Sequence, residues 1–237
     1  MFKLLSTANP KIQKGTKQGY LSFILHLAPA DVSGYNTCPK ATAGCKAACL
    51  NTAGRGGMFK KGETTNTIQK ARIRKARYFF EDRAGFMADL VSDINKAIKF
   101  AAKKNLTPVF RLNGTSDLSW EKYEAAHGKN IFELFDYVQF YDYTKVPKRK
   151  VDGIKNYHLT FSQADGNEKD ANWAISKNMN VTVVFDKIPA EYKGKTVFNA
   201  DDTDLRFLDP KGVVLGLKAK GRAKKDRSGF VVFMQQA

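Results

Sequence analysis

Two runs in the second half of the chain, Val181-Thr-Val-Val-Phe185 and Val213-Val-Leu-Gly-Leu217, are apolar almost without interruption. A strand with one face in water alternates apolar and polar residues, whereas a strand covered on both faces is continuously apolar, as in parallel sheets. The two runs therefore predict buried parallel strands. Nearer the start, Tyr20-Leu-Ser-Phe-Ile-Leu-His-Leu27 has the same character and ends before Pro29, which cannot continue a central strand.

Five further short segments have strand-like composition, which brings the number of predicted strands to eight. They span 108–112, 137–141, 157–161, 196–199 and 230–234. Helical periodicity and capping residues predict α-helices between some of these strands, at 64–83, 85–104, 119–127 and 168–177, the first capped by Thr64 or Thr65. The connections at 143–156 and 200–211 are too short for a regular crossover helix.

Strands that alternate with helical segments predict an α/β protein. Eight strands favour a (β/α) barrel-like fold, an irregular or incomplete TIM-type barrel, and the alternative is an open mixed sheet with helices on its faces. The chain has 237 residues and is 43% hydrophobic, which is enough for a sizeable core and excludes a disordered protein. We predict a single α/β domain over 1–237 with a cysteine loop at 30–62.

The chain is strongly basic, with 40 Lys and Arg against 23 Asp and Glu and a net charge of +17. Such a charge favours anionic partners, among them nucleic acid and other polyanions. Six cations crowd into 218–227, although no known nucleic-acid-binding motif accompanies them. No apolar run approaches the roughly 20 residues of a membrane span, and the first ten residues lack a signal-peptide pattern, so we expect no membrane partner and a cytoplasmic location.

All three cysteines fall within Cys38-Pro-Lys-Ala-Thr-Ala-Gly-Cys45-Lys-Ala-Ala-Cys49, at the spacing C-x6-C-x3-C. Thiolates are soft ligands that select iron–sulfur clusters, zinc or copper. A [4Fe–4S] cluster has four irons, so three cysteines would leave one iron open to a small molecule. The zinc alternative needs a fourth ligand, for which His26 is the nearest candidate. The remaining alternative is three buried thiols without a metal.

Polar residues follow most of the predicted strands. Because parallel strands end on the same side of a sheet, we expect these residues to meet in a substrate-binding pocket beside the cysteines. The predicted pocket residues are Asn113, Ser116, Asp117, Asp142, Ser162 and Lys218. Asp117 is also the candidate for the fourth iron ligand if that ligand is a protein group. The alternative is that loops are polar simply because they lie at the surface.

The first resemblance to a known family lies in the order of these features along the chain. A strand, a three-cysteine loop, a long helix and then further strands and helices resemble the layout of radical S-adenosylmethionine enzymes, although their usual cysteine spacing is C-x3-C-x2-C. The resemblance implies that S-adenosylmethionine chelates the open iron through its amino and carboxylate groups.

A closer resemblance lies in the cysteine stretch together with three segments that follow it. These are Asn51-Thr-Ala-Gly-Arg55, Gln69-Lys-Ala-Arg-Ile-Arg-Lys-Ala-Arg77 and Phe79-Phe-Glu-Asp-Arg83. Across roughly 20–120, the chain resembles a family of uncharacterised bacteriophage proteins. The resemblance implies a phage or prophage origin, a location in the host cytoplasm and an iron–sulfur site on the three cysteines.

Together these features predict a [4Fe–4S] protein whose open iron faces a polar pocket and performs redox or radical chemistry on a small molecule. The alternative is a non-enzymatic, cluster-bearing protein that binds nucleic acid or a host partner through its basic surface. The sequence indicates no catalytic side chain and no oligomeric state.

Overall fold

The computed structural model describes residues 2–7 and 14–234, and within them ten strands form one sheet. Its seven central strands run parallel to one another. In spatial order they are β2 (Tyr20–Leu25), β3 (Thr107–Arg111), β6 (Gln139–Thr144), β7 (Tyr157–Ser162), β8 (Val181–Phe185), β11 (Val214–Lys218) and β10 (Lys195–Asn199).

Short strands complete the sheet and form one separate ribbon. β1 (Leu5–Ser6) pairs antiparallel with β2, and β9 (Glu191–Tyr192) pairs antiparallel with β10. β12 (Val231–Val232) runs parallel to the end of β8. β4 (Glu124–Ala126) and β5 (Lys129–Asn130) form a hairpin outside the sheet.

Three of the connections between strands contain the following α-helices. α1 (Ala43–Ala47), α2 (Thr67–Glu81) and α3 (Arg83–Ala102) connect β2 to β3, α4 (Ile131–Leu134) precedes β6, and α5 (Glu168–Ser176) connects β7 to β8. Even α3, with 20 residues, lacks the sustained apolar length that a membrane crossing requires, and so do the other described helices.

Two helix predictions need correction. α2 begins after Asn66, whose side chain accepts a hydrogen bond from the Gln69 amide at 3.0 Å, and not after Thr64 or Thr65. The predicted helix at 119–127 is wrong, because this segment forms a single 3-10 turn followed by β4. His127 and Gly128 both have positive φ (54° and 72°), and such a pair makes the tight turn of a hairpin and cannot continue a helix.

All eight predicted strands have counterparts, but the predicted (β/α) barrel is wrong. The sheet of the described residues is open, with β1 at one edge and β9 at the other. An apolar run shows only that a strand is covered on both faces, and an open sheet covered on both faces satisfies this equally well. The open, mixed sheet of the alternative is what the described residues form.

Both faces of the first three parallel strands are indeed covered. On one face, Phe23, Phe110 and Phe140 occupy paired positions on β2, β3 and β6, and their neighbouring ring centroids are 5.5 and 5.4 Å apart. This row of rings packs in the core that α2 and α3 complete. On the opposite face, Val109 and Tyr141 pack against Leu205.

The sheet divides at β8, which has three neighbours. Its first residues, Val181 and Thr182, pair with β7, whereas its last residues, Val184 and Phe185, pair with β12. β7 and β8 therefore pair only at the beginning of β8, and β12 takes the neighbouring place at its carboxyl end. This division lies on the side of the sheet to which the cysteine loop is attached.

Candidate functional site

A cavity of about 450 Å³ lies at the carboxyl ends of the central strands. This volume falls in the range of small-molecule sites. The wall contains all three cysteines and five of the six predicted pocket residues, which are Asn113, Ser116, Asp117, Ser162 and Lys218. Asp142 is not among the lining residues, because it is fully buried behind Asn113.

The beginning of the cysteine loop is attached to two strand ends. The Thr37 hydroxyl donates to the Ala28 carbonyl at 2.6 Å, and the Thr37 carbonyl accepts from the Asp117 amide at 2.9 Å. Cys38 follows directly, and its Sγ lies 3.9 Å from the Thr115 carbonyl oxygen. These contacts place Cys38 between the segments that follow β2 and β3.

The segment that carries Cys45 is held by a carboxylate from the loop after β7. Thr42 caps α1, with its hydroxyl accepting from the Cys45 amide at 3.1 Å. Asp165 in turn accepts hydrogen bonds from the Thr42 hydroxyl and, at 3.0 Å, from the Gly44 amide. A Cβ on Gly44 would overlap Ser228 Oγ and lie 2.6 Å from Asp165 Oδ1, so this contact requires glycine.

Cys49 lies at the start of the next turn, and basic side chains surround it. Its Sγ caps that turn by accepting from the Asn51 amide at 3.5 Å. Asn51 is buried and accepts hydrogen bonds from Arg72 at 2.7 and 3.2 Å. The charges of Arg72 and Lys145 act on the Cys49 thiol and favour its ionised form.

Burial opposes ionisation of the Cys38 and Cys49 thiols. It raises the pKa of Cys38 to about 11 and also raises the pKa of Cys49 above its ordinary value. A thiol with a raised pKa is a poor nucleophile at neutral pH, whereas a coordinated metal deprotonates a thiol outright. The raised pKa values therefore argue against Cys38 and Cys49 as covalent nucleophiles at neutral pH.

Within residues 2–7 and 14–234, no three His, Cys, Asp or Glu side chains form a ready-made site for a metal ion. The three thiols nevertheless come from one loop and face one cavity. The ligands of a cubane cluster each bind a different iron, so their sulfur atoms need not meet at one point as zinc ligands do. The donor set therefore fits a cluster.

Asn113 organises the turn after β3 and has no hydrogen-bonding capacity left for a substrate. Its Oδ1 accepts from Ser116 Oγ, the Leu118 amide and Trp120 Nε1 at 2.9–3.1 Å. Its Nδ2 donates to the Leu118 carbonyl at 3.0 Å and lies 3.4 Å from Asp142 Oδ2. Asn113 thus shapes the cavity wall through the turn that it holds.

The two carboxylates nearby are also engaged. Asp117 accepts from Thr144 Oγ1 at 2.8 Å and from the Lys145 amide at 2.7 Å. Asp142 accepts from the Asn113 amide at 2.7 Å and from the Tyr157 hydroxyl at 3.2 Å. Burial raises the pKa of Asp142 to about 7. These contacts tie the segment after β3 to the end of β6 and to Tyr157, the first residue of β7.

Several cavity residues were not among the predicted pocket residues. Arg72, Arg111, Tyr143 and Lys145 all line the cavity. Alternation along the strands could have found two of them, because Arg111 and Tyr143 lie two residues after Val109 and Tyr141 and share their face. No pattern in the sequence distinguishes Arg72 from the other cations of α2.

The first prediction concerns Gly44. We expect Gly44→Ala to lower the free energy of unfolding by about 1–3 kcal/mol, because the new methyl group would displace Asp165 and Ser228 from α1. Urea denaturation measures the change, and amide exchange over 43–49 locates it. Gly153→Ala is the matched control, since a Cβ there meets no atom within 4 Å. Equal stabilities of the two variants would contradict the assigned contact.

The second prediction concerns Asp142, whose raised pKa means that the folded state holds this proton more tightly than the unfolded state. The contribution of Asp142 to stability is therefore greatest below about pH 4 and is lost as the pH rises to about 7. Relative to Asp142→Asn, the wild type should lose stability across this window, by at most about 1.4 kcal/mol per pH unit. Denaturation at several pH values tests this.

The exposed Asp152 provides the control for this measurement. Asp152→Asn should follow the wild-type pH profile, whereas Asp142→Asn should diverge from it. Parallel profiles for all three proteins would show that Asp142 does not titrate in this range.

The comparisons with known proteins give one match. The family profile described as "Gene product 88" matches residues 3–233, which is nearly the whole chain. No curated protein and no solved structure shows significant similarity to it. The match extends the phage resemblance of 20–120 through the strands that complete the cavity. With its sheet, cysteine loop and basic cavity, the chain belongs to the phage-type Gene product 88 family.

Proposed function

We propose that this phage-type protein binds a [4Fe–4S] cluster through Cys38, Cys45 and Cys49, and that its open iron serves redox or radical chemistry on a small molecule in the host cytoplasm. The observation that supports the proposal is that all three thiols line one cavity at the carboxyl ends of parallel strands. Bound there, the cluster supplies an iron with a free coordination position and a route for single electrons.

The attachment of the loop favours a site with three separate donors. Cys38 follows Thr37, which is tied to the ends of β2 and β3. Cys45 lies in α1, which Asp165 holds from the loop after β7. Cys49 begins a turn that Asn51 and Arg72 fix to α2. Each thiol is thus supported by a different part of the fold.

The charges near the loop suit a cluster with three thiolate ligands. The three thiolates outweigh the positive charge of a [4Fe–4S] core, so the cluster with its ligands is a net anion, and nearby cations favour its burial. Arg72 and Lys145 act on Cys49, and the hydrogen-bonding partners described for them are the neutral Asn51 and Ser162. The charge of Arg72 therefore remains available to a cluster or to its ligand, whereas that of Lys145 acts on the Asp117 carboxylate as well.

The fourth ligand is proposed to be exogenous. Asp117 is the protein candidate from the sequence, but its carboxylate already accepts hydrogen bonds from Thr144 and from the Lys145 amide. Catalytic metal sites keep an open coordination position for a substrate or a water molecule. S-adenosylmethionine, whose amino and carboxylate groups can chelate one iron, is the candidate for this position.

A second candidate is a non-enzymatic, cluster-bearing protein that binds nucleic acid or a host partner through its basic surface. One observation favours it. The basic segment 218–227 covers the cysteine loop, because its buried Ala219 and Ala223 pack with Ala48. Its Arg222 and Lys224 side chains remain exposed beside the loop. Such a surface can bind phosphates through counterion release.

The third prediction tests the cluster. Protein purified without oxygen should contain iron and sulfide and absorb near 400 nm, and replacing Cys38, Cys45 or Cys49 singly by Ala should remove most of this absorption, because each supplies one ligand. Met58→Ala, which alters a sulfur-bearing side chain that is 70% exposed, should leave it unchanged. Colourless wild-type protein carrying zinc would contradict the proposal.

The fourth prediction separates the enzyme from the binding protein. If one iron is open, adding S-adenosylmethionine to the reduced protein should change its electron paramagnetic resonance spectrum, and a turnover assay should yield 5′-deoxyadenosine. An unchanged spectrum, with binding of single-stranded DNA that weakens steeply as salt rises, would instead favour the second candidate. Arg222→Gln together with Lys224→Gln should then reduce DNA binding without loss of the cluster.

A further inference from the structure

Three residues in the wall of the cavity each carry a buried hydrogen-bond donor that has no acceptor in the described part of the chain. The donors are the Nε atoms of Arg72 and Arg111 and the hydroxyl group of Tyr143. Buried polar groups in folded proteins are nearly always hydrogen-bonded, and each exception needs an explanation. Three such donors on residues of one cavity wall indicate a ligand that accepts hydrogen bonds.

The structure brings these three residues together. The Arg111 guanidinium lies 4.7 Å from the centre of the Tyr143 ring. Arg72 and Arg111 both lower the pKa of His26, whose side chain lines the same cavity. The three residues therefore belong to one wall of the cavity, where Arg111 contacts Tyr143 and where Arg72 and Arg111 both act on His26.

Each arginine is held by its other nitrogen atoms. Arg111 Nη1 donates to Asp204 at 3.0 Å, and Arg72 Nη1 donates to both side-chain and backbone oxygens of Asn51. The guanidinium groups are thus fixed in place before any ligand binds. Such preorganised donors lose little conformational freedom on binding, which favours affinity.

The region is positively charged without the help of His26. Burial lowers the pKa of this histidine to about 3, with Arg72 and Arg111 contributing, so the imidazole is neutral at physiological pH. Asp204 offsets the charge of Arg111, whereas the described partner of Arg72 is a neutral amide. This region of the cavity wall therefore combines a positive charge with donors that lack acceptors in the described part of the chain.

We infer that this region binds the oxyanion group, a carboxylate or a phosphate, of a small molecule. The oxygens of that group accept hydrogen bonds from Arg72, Arg111 and Tyr143, and its negative charge is balanced chiefly by Arg72. Arginine suits both groups because its planar guanidinium matches their geometry. The inference deepens the proposed function, on which it rests for the reaction, by naming the chemical class of the molecule that enters the cavity.

Tyr143→Phe is the sharpest test, because it removes a hydroxyl group that has no partner in the described structure and should leave the fold intact. We would titrate the wild type with inorganic phosphate and, separately, with acetate by calorimetry, at an ionic strength held constant with sodium chloride. One of the two anions should bind, and Tyr143→Phe should weaken that binding roughly tenfold. The binding anion identifies the oxyanion group.

Tyr137→Phe is the matched control, since this tyrosine is 68% exposed and does not line the cavity. It should bind the anion as the wild type does. Binding of neither anion, or equal affinities of Tyr143→Phe and the wild type, would overturn the inference. Thermal unfolding of both variants in the absence of anions checks that the fold is retained.

Iron and sulfide are measured on the same preparations, so that the cluster and the oxyanion site are tested independently of each other. Anion binding that depends on Tyr143 in protein that cannot assemble a cluster would uphold the oxyanion site and reject the cluster. A cluster that assembles in protein whose anion binding does not depend on Tyr143 would reject the oxyanion site and retain the cluster.

Discussion

The register of the parallel strands is the constraint on which the cavity depends. Phe23, Phe110 and Phe140 face one another across β2, β3 and β6 and pack against the helices. Because successive side chains on a strand point to opposite faces, a slip by one residue would exchange the two faces of that strand. Arg111 and Tyr143 would then turn towards the helices. The aromatic row thus keeps polar side chains on the cavity side while it builds the core.

Much of the strand pattern could be predicted, because it follows from local composition. Val181–Phe185 is apolar except for Thr182, and four of its five residues are buried. The same run cannot show that β8 pairs first with β7 and then with β12, or that β1 and β9 lie at the two edges of an open sheet. Closure of a sheet depends on contacts between distant segments, and no period in the sequence encodes them.

The candidate site, like the fold, could be predicted from the sequence only in part. The crowding of Cys38, Cys45 and Cys49 is a local signal, and the structure places all three in one cavity wall, where their role as cluster ligands remains a prediction. The contact of Asp165 with α1 spans 121 residues and leaves no local signal. Asn113 illustrates a different limit. Its position after a strand indicated a place in the cavity wall, but its side chain forms hydrogen bonds within the turn and is not free to bind a substrate.

The contact between Asp165 and α1 also sets an order of events during synthesis. Asp165 emerges from the ribosome 121 residues after Gly44, and Ser228, which closes on the same glycine, emerges later still. At about 5–20 residues per second, the cysteine segment waits roughly 6–24 s for its carboxylate partner. The thiols are therefore least shielded on the nascent chain. Any cofactor that they take up has its widest access in that interval, before the second half of the protein covers the loop.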